Sequence, residues 1–316
     1  TEWTQTLIGS PASPWTVAVA DTATSCADTD GAILAAAMTS TQTTALVHTT
    51  SGLPWTSAPA DLPFDVRVSG EVLRVTAVAA SAADTFTRTV ASGWGTATTG
   101  QTWTLTTGTT SERSVDGTRG VVTVPNATIS IIRFQTLAGL TLGDCEVRAR
   151  ISAAQVSTGA AMIPSILLRY VDTGNFYRCR LHFSPGGVMS VSIARDVTQL
   201  GDAFLPYTYT AGDSFEMRVR LDGQRIRMKV WPSASIESSA WSYETTVTTN
   251  PITSGLVGVT ASGFAGNTNV NPAIAFDNFE VITPQALTVT RSMNRVVKAL
   301  AAGADVRLAT PAIVAL

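Results

Sequence analysis

From Thr44 onward, apolar and polar residues alternate in short runs separated by turn-forming residues, the period of two that belongs to half-buried strands. Thr44-Ala-Leu-Val-His-Thr predicts one strand. Phe64-Asp-Val-Arg-Val, the turn Ser69-Gly70 and Glu71-Val-Leu-Arg-Val-Thr-Ala-Val predict a hairpin. Near the C-terminus the same style returns: Leu287-Thr-Val-Thr-Arg, a turn over Ser292 to Arg295, a strand Val296-Val-Lys-Ala-Leu, and Val306-Arg-Leu before Pro311. Neither piece has enough strands to cover both faces of a sheet by itself. Residues 33–83 and 286–316 are therefore expected to form one small discontinuous β-module, interrupted by an inserted domain at 84–283. Residues 1–32 carry no sustained period and read as a linker or the end of an upstream module.

The insert alternates more regularly. Cys145-Glu-Val-Arg-Ala-Arg-Ile is one strand, and Ile166 to Val171, the turn Asp172 to Asn175, and Phe176 to Phe183 form a hairpin. Met189 to Arg195 follows. Phe215 to Leu221 and Ile226 to Trp231 are joined by Asp222-Gly223, a strong turn signal, and Leu256 to Ala261 and Ala273 to Val281 complete the set. Many strands with no helix between them predict an all-β fold: a two-sheet antiparallel sandwich of jelly-roll type. The inward positions are Val147, Ala149, Tyr177, Cys179, Leu181, Phe183, Phe215, Met217, Val219, Leu221, Ile226, Met228 and Val230.

Composition sharpens this picture. Charged residues make up 14% of the 316, and the 48 threonines favour strands through their branched β-carbon. A net charge of -2 argues against nucleic acid as a partner of the chain as a whole, and the longest apolar stretch, Ile33 to Met38, is far too short for membrane insertion. The chain opens on Thr1 without a signal-peptide pattern, which reads as a fragment or a processed product. Two histidines and three cysteines (Cys26, Cys145 and Cys179) supply neither a Cys/His zinc framework nor a disulfide scaffold, and Cys145 and Cys179 take inward positions as small hydrophobes.

The outward positions carry the candidate chemistry. Arg148, Arg150, Arg178, Arg180, His182, Arg218, Arg220, Arg227, Lys229 and Trp231, joined by Arg169, are expected on one surface, although residues 84–283 hold fifteen basic and fifteen acidic residues. Two readings stand side by side. In one, the cations pair across strands with Glu146, Glu216 and Glu244 on a solvated face. In the other, Arg169, Arg178, Arg180, His182, Arg218, Arg220, Arg227 and Trp231 form a ligand platform, with guanidinium forks for phosphate or carboxylate and an indole for a sugar ring.

No cofactor is required, but Asp84 and Asp277, at the two ends of the insert, permit a calcium ion joining them; the alternative is a pair of solvated aspartates. No metalloprotease, serine-elbow or phosphate-loop motif is present, and no inward carboxylate pair suits glycoside cleavage. The expectation is a protein that is not an enzyme. Asn126-Ala-Thr matches a glycosylation sequon, a short match that arises often by chance.

The segment Ala60-Asp-Leu-Pro-Phe-Asp-Val-Arg-Val-Ser-Gly-Glu-Val-Leu-Arg-Val-Thr-Ala-Val, with Leu287 to Gly303 and the closing Pro311-Ala-Ile-Val-Ala-Leu, resembles the C-terminal part of minor tail proteins from phages and prophages of Streptomyces and related actinobacteria. Asp84-Thr-Phe-Thr-Arg-Thr-Val-Ala-Ser-Gly-Trp-Gly, the hairpin after Arg169 and Phe276-Asp-Asn-Phe-Glu-Val resemble the laminin-G-like, concanavalin-type jelly roll found within such proteins. The resemblance implies an extracellular virion component at the tail tip. Its partners would be other tail proteins and a host cell-wall polysaccharide or teichoic-type polymer, held by the jelly roll. The alternatives are a structural spacer or assembly module, and a wall-degrading glycosidase. One departure is visible: where the family turns on Asn-Gly, this chain has Asn294-Arg295, and arginine is poorly suited to φ > 0, so a longer loop is expected.

Overall fold

The computed structural model describes residues 2–5, 15–18, 31–50, 54–125 and 131–309, the first two stretches by backbone alone. Glu2–Gln5 and Trp15–Ala18 pair as an antiparallel ribbon. The rest of the proposed linker 1–32 up to residue 30, Cys26, the Asn126 sequon and the segment after residue 309 lie outside the described residues. The chain divides into two units, 1–79 with 285–316, and 80–284. Among the described residues no helix is long and apolar enough to cross a membrane.

In the first unit, Ala32–Leu34, Thr44–Thr49, Phe64–Val68 and Val306–Leu308 join parts of Glu71–Asp84 and Ala273–Thr290 in antiparallel pairing. Leu34, Val47, Trp55, Val66, Leu73, Val75, Leu287 and Val306 fill its core. Val296 to Leu300 does not form the expected strand; only Leu300 bridges, to Met38. The cause is local. Arg291 holds both Glu71 oxygens at 2.6 and 2.7 Å and donates to the Lys298 carbonyl, and the Lys298 N–H goes to Glu71, so side chains occupy the backbone groups a ladder would need. Arg295 itself adopts φ 63°, against expectation. Its N–H closes a turn onto the Ser292 carbonyl, and Asn294 anchors the turn by accepting from Val72 N–H and donating to the Gly70 carbonyl.

The second unit is a two-sheet antiparallel sandwich of jelly-roll type. One sheet has seven strands: β1 (Trp103–Thr106), β2 (Arg133–Leu142), β3 (Met162–Asp172), β4 (Asn175–Phe183), β5 (Val188–Arg195), β6 (Thr198–Thr208) and β7 (Gly255–Gly263), in the spatial order β6-β5-β4-β3-β7-β2-β1. The facing sheet includes Tyr243–Thr246, Arg225–Pro232, Ser214–Asp222, Cys145–Ala153 and the first part of Ala273–Thr290, in that order. Every inward position named from alternation is in the core between them. Cys145 and Cys179 are buried free thiols, and burial pushes both up, Cys145 to about 12.

One end of that core is aromatic. Phe86, Trp94, Trp103, Phe276 and Phe279 pack mostly edge to face, with centroids 5.1–6.1 Å apart. Gly120 is a fixed requirement of this packing, since a Cβ there would come within 2.5 Å of the Phe86 ring.

Candidate functional site

The cations expected on one surface are divided between two sheets. Arg148, Arg150, Arg218, Arg220, Arg227, Lys229 and Trp231 lie on Cys145–Ala153, Ser214–Asp222 and Arg225–Pro232 of the facing sheet, whereas Arg178, Arg180 and His182 lie on β4. Alternation assigns a residue to the inside or outside of its strand but is silent about which sheet the strand joins.

On the facing sheet the cations are neutralised in place. Glu216 accepts from Arg148 and Arg150 at 3.0 and 2.8 Å, Glu146 from Arg218 at 2.5 Å, Asp222 from Arg220 and Arg227 at 2.8 and 2.7 Å, and Glu237 from Arg218 and Lys229. Lys229 Nζ sits between the Trp231 and Trp241 rings, 5.8 and 5.1 Å from their centroids. Trp231 is 2% exposed, so its ring is not presented to a sugar. This is the paired face of the first reading.

Arg169 belongs to neither group. It is buried at one end of the sandwich, where its guanidinium binds the Gly143 and Ile252 carbonyls and Asp144. Asp84 is fully buried. Its oxygens accept from both terminal nitrogens of Arg88 at 2.7 and 2.8 Å, from the Trp103 indole at 2.6 Å and from Phe86 N–H. A cation at Asp84 would have to face the Arg88 guanidinium, so the donor set does not fit calcium. Asp277 lies beside Arg150 at 3.5 Å, and no cluster of three His, Cys, Asp or Glu at metal-binding spacing exists among the described residues.

The outer face of the seven-stranded sheet is different. In-register pairing places Asp202, Ser192, Arg180, Ser165, Thr260 and Phe134 in one row across β6, β5, β4, β3, β7 and β2. The row beside it runs from Ala194 through Arg178 and Leu167 to Gly258, and a third brings together Phe204, Ser190 and His182. Small side chains thus flank the three cationic or titratable ones. Arg178 donates to the hydroxyls of Ser165 and Ser262 at 3.2 and 3.1 Å, and its Nε has no acceptor. Arg180 donates to Ser192 Oγ at 2.8 Å and to Gln199 Oε1 at 2.8 Å. Among the described residues neither guanidinium forms an ion pair.

Electrostatics follow from this. Burial, then the neighbouring Arg180, pushes Arg178 down to about 9. Burial also lowers Arg180, against the field of Asp202. His182 is pushed down to about 4, first by burial and then by Arg180 and Arg178, so its ring is neutral at pH 7. Ser192 Oγ accepts from Arg180 and shares a 2.7 Å hydrogen bond with His182 Nε2, whose direction follows the ring's tautomer. With Ser192 fully buried, that hydroxyl orients the ring and the guanidinium.

Two exposed aromatic residues stand on the same face as His182. Phe204 on the edge strand β6 is 80% exposed, while its neighbours Ala203 and Leu205 pack inward; Phe264, just past β7, is 47% exposed with its ring 6.2 Å from that of His182. Further along the same sheet Phe134, Leu167 and Phe176 form a separate apolar cluster with Tyr170 against it. Sequence reasoning named Arg178, Arg180 and His182 among its candidates but not Phe204, Phe264 or the serines. The signal available for Phe204 was a lone aromatic between two inward-facing positions of a strand broken by Gly201 and Pro206.

No protein-family model and no curated protein matches the chain. Solved structures similar to it include a β-1,3-glucanase from Mycobacterium marinum (11% identity, 64% of this chain and 98% of that one, TM-score 0.43). They also include a glycosyl hydrolase family 16 protein from Mycobacterium smegmatis (11%, 64% and 99%, TM-score 0.44) and the carbohydrate-binding module CBM66 from Bacillus subtilis (11%, 57% and 89%, TM-score 0.37). The expectation that the chain is not an enzyme is corrected here. Glycosyl hydrolases stand among its structural neighbours, so a missing sequence motif gave no ground for excluding that class.

Proposed function

We propose that the inserted sandwich binds carbohydrate on the outer face of its seven-stranded sheet, and that the chain serves at a phage tail tip, where this face holds a polysaccharide of the host wall. The observation that carries the reading is the pair Phe204 and Phe264, exposed on either side of a floor of serine, glutamine, histidine and arginine. Exposed rings beside fixed polar groups suit a sugar, whose C–H face stacks on an aromatic while its hydroxyls take hydrogen bonds. The resemblance of the flanking segments to minor tail proteins supports the virion setting.

The test is co-sedimentation of the full chain with purified actinobacterial cell walls. Covering a phenylalanine ring is worth ~1.5–3 kcal/mol when complete, so Phe204→Ala and Phe264→Ala should each weaken retention by roughly tenfold. A folded wild-type chain that stays in the supernatant removes this reading and leaves the spacer or assembly role. Release of soluble reducing ends from the walls would turn retention into cleavage.

A further inference from the structure

The buried arginines of the insert differ in what they face. Arg113 donates to the carbonyls of Thr106, Thr107 and Thr109, Arg133 binds Glu112 and the Ile131 carbonyl, and Arg169 binds Asp144 and two carbonyls. Arg178 alone among these four has only hydroxyl acceptors. It is 4% exposed, its Nε points at nothing that can accept, and its nearest charged neighbour on the strand is another cation, Arg180. Thr260 Oγ1, cross-strand from the Ser165 that Arg178 binds, is a second buried polar atom without a partner. Native proteins pair a buried charge or give it an anion, since hydroxyls do not replace what water supplied. The facing sheet shows this chain doing the first with Glu146, Glu216, Asp222 and Glu237. On β4, among the described residues, Arg178 has no ion-pair partner, and the carboxylate in the neighbouring row, Asp202, acts on Arg180.

We propose that Arg178, with Arg180 beside it, is a subsite for one oxyanion, and that the carbohydrate taken by this face is acidic, its carboxylate or phosphate drawn to the rim of the Arg178 guanidinium. This rests on the reading that the face binds carbohydrate. Guanidinium N–H groups match either oxyanion. Because His182 is neutral, it adds no charge and contributes as a hydrogen-bonding group.

Isothermal titration calorimetry on the full chain separates the possibilities with three probes: a glucuronate-containing oligosaccharide, poly(glycerol phosphate) and a neutral glucan of similar length. At least one anionic probe should bind tenfold or more tighter than the glucan, and which one does so tells carboxylate from phosphate. Arg178→Gln should remove that preference, bringing the anionic probe down to the affinity the same variant shows for glucan, and Arg178→Lys should restore part of it. Should Arg178→Gln fail to fold, the wild-type chain still decides: glucuronate or phosphate should raise its melting temperature above that in chloride at equal ionic strength. Glucan binding as tight as both anions, or an unchanged preference in a folded Arg178→Gln, overturns the oxyanion subsite and leaves the carbohydrate reading standing. Failure of all three probes overturns both.

Discussion

Replacing Arg178 by methionine should make the protein more stable. Burial pushes its guanidinium from the ordinary arginine range down to about 9. At ~1.4 kcal/mol per unit, this places an upper limit of about 5 kcal/mol on the cost of holding the charge there at neutral pH. That cost is present below pH 9, where the group is charged in both states, and fades as the pH rises above 9 toward the ordinary arginine range. Methionine keeps much of the apolar stem but leaves the Ser165 and Ser262 hydroxyls without their donor, at about 1 kcal/mol each. The balance is a net gain of about 1–3 kcal/mol, comparable to the gains seen when buried ionic groups are replaced by apolar ones. For a unit of this size, 1 kcal/mol corresponds to ~2–4 °C, so the transition should rise by several degrees. Differential scanning calorimetry of the full chain in chloride buffer, without oxyanions, reads this directly. A fall in melting temperature would refute the reasoning, because it would mean that the charge is compensated within the protein. A gain would mark Arg178 as a residue kept at the expense of stability, which is how binding residues behave.

Further predictions concern the rest of the site and its surroundings. His182, neutral down to about pH 4 in the folded chain, should destabilise the fold as pH drops below 6.5, where the unfolded chain takes up a proton that the folded one refuses. Urea midpoints of wild type and His182→Gln should therefore diverge between pH 6.5 and 4, by up to about 3 kcal/mol, and parallel curves would contradict the burial assigned to the ring. Asp84→Asn breaks a buried pair with Arg88 and should cost ~3–5 kcal/mol by thermal unfolding, whereas chelator should leave the wild-type transition where it is; a drop on chelation would contradict the Arg88 assignment. Arg218→Gln and Arg220→Gln should leave wall retention within twofold of wild type, since both lie on the paired face; a tenfold loss would move the site to the other sheet.

Much of the fold was legible because alternation is a local property. The inward set from Val147 to Val230 follows from each strand's own sequence, and all of it lies in the core. What alternation does not encode is partnership between distant strands. Cys145–Ala153 pairs with Ser214–Asp222, across an interval in which four intervening strands enter the other sheet, so Arg148 and Arg178 look alike in sequence and lie on different surfaces. The same limit hid the contrast that matters most: Arg218 meets Glu146 at 2.5 Å, whereas Arg178 meets only serines. Phe204 was obscured by Gly201 and Pro206, which interrupt the edge strand's pattern, and Phe264 because it stands outside any strand. Val296 to Leu300 shows the opposite error, an apolar run whose backbone groups are claimed by Arg291 and Glu71.

Hydroxyl-radical footprinting with bound wall polysaccharide tests the location of the binding face most directly. Phe204 and Phe264 should be oxidised several-fold more slowly in the presence of polymer, while Ile236, 94% exposed on a different part of the unit, should keep its rate. Unchanged oxidation of both phenylalanines under saturating polymer, or protection centred on Trp241 instead, would contradict the placement of the site on the outer face of the seven-stranded sheet.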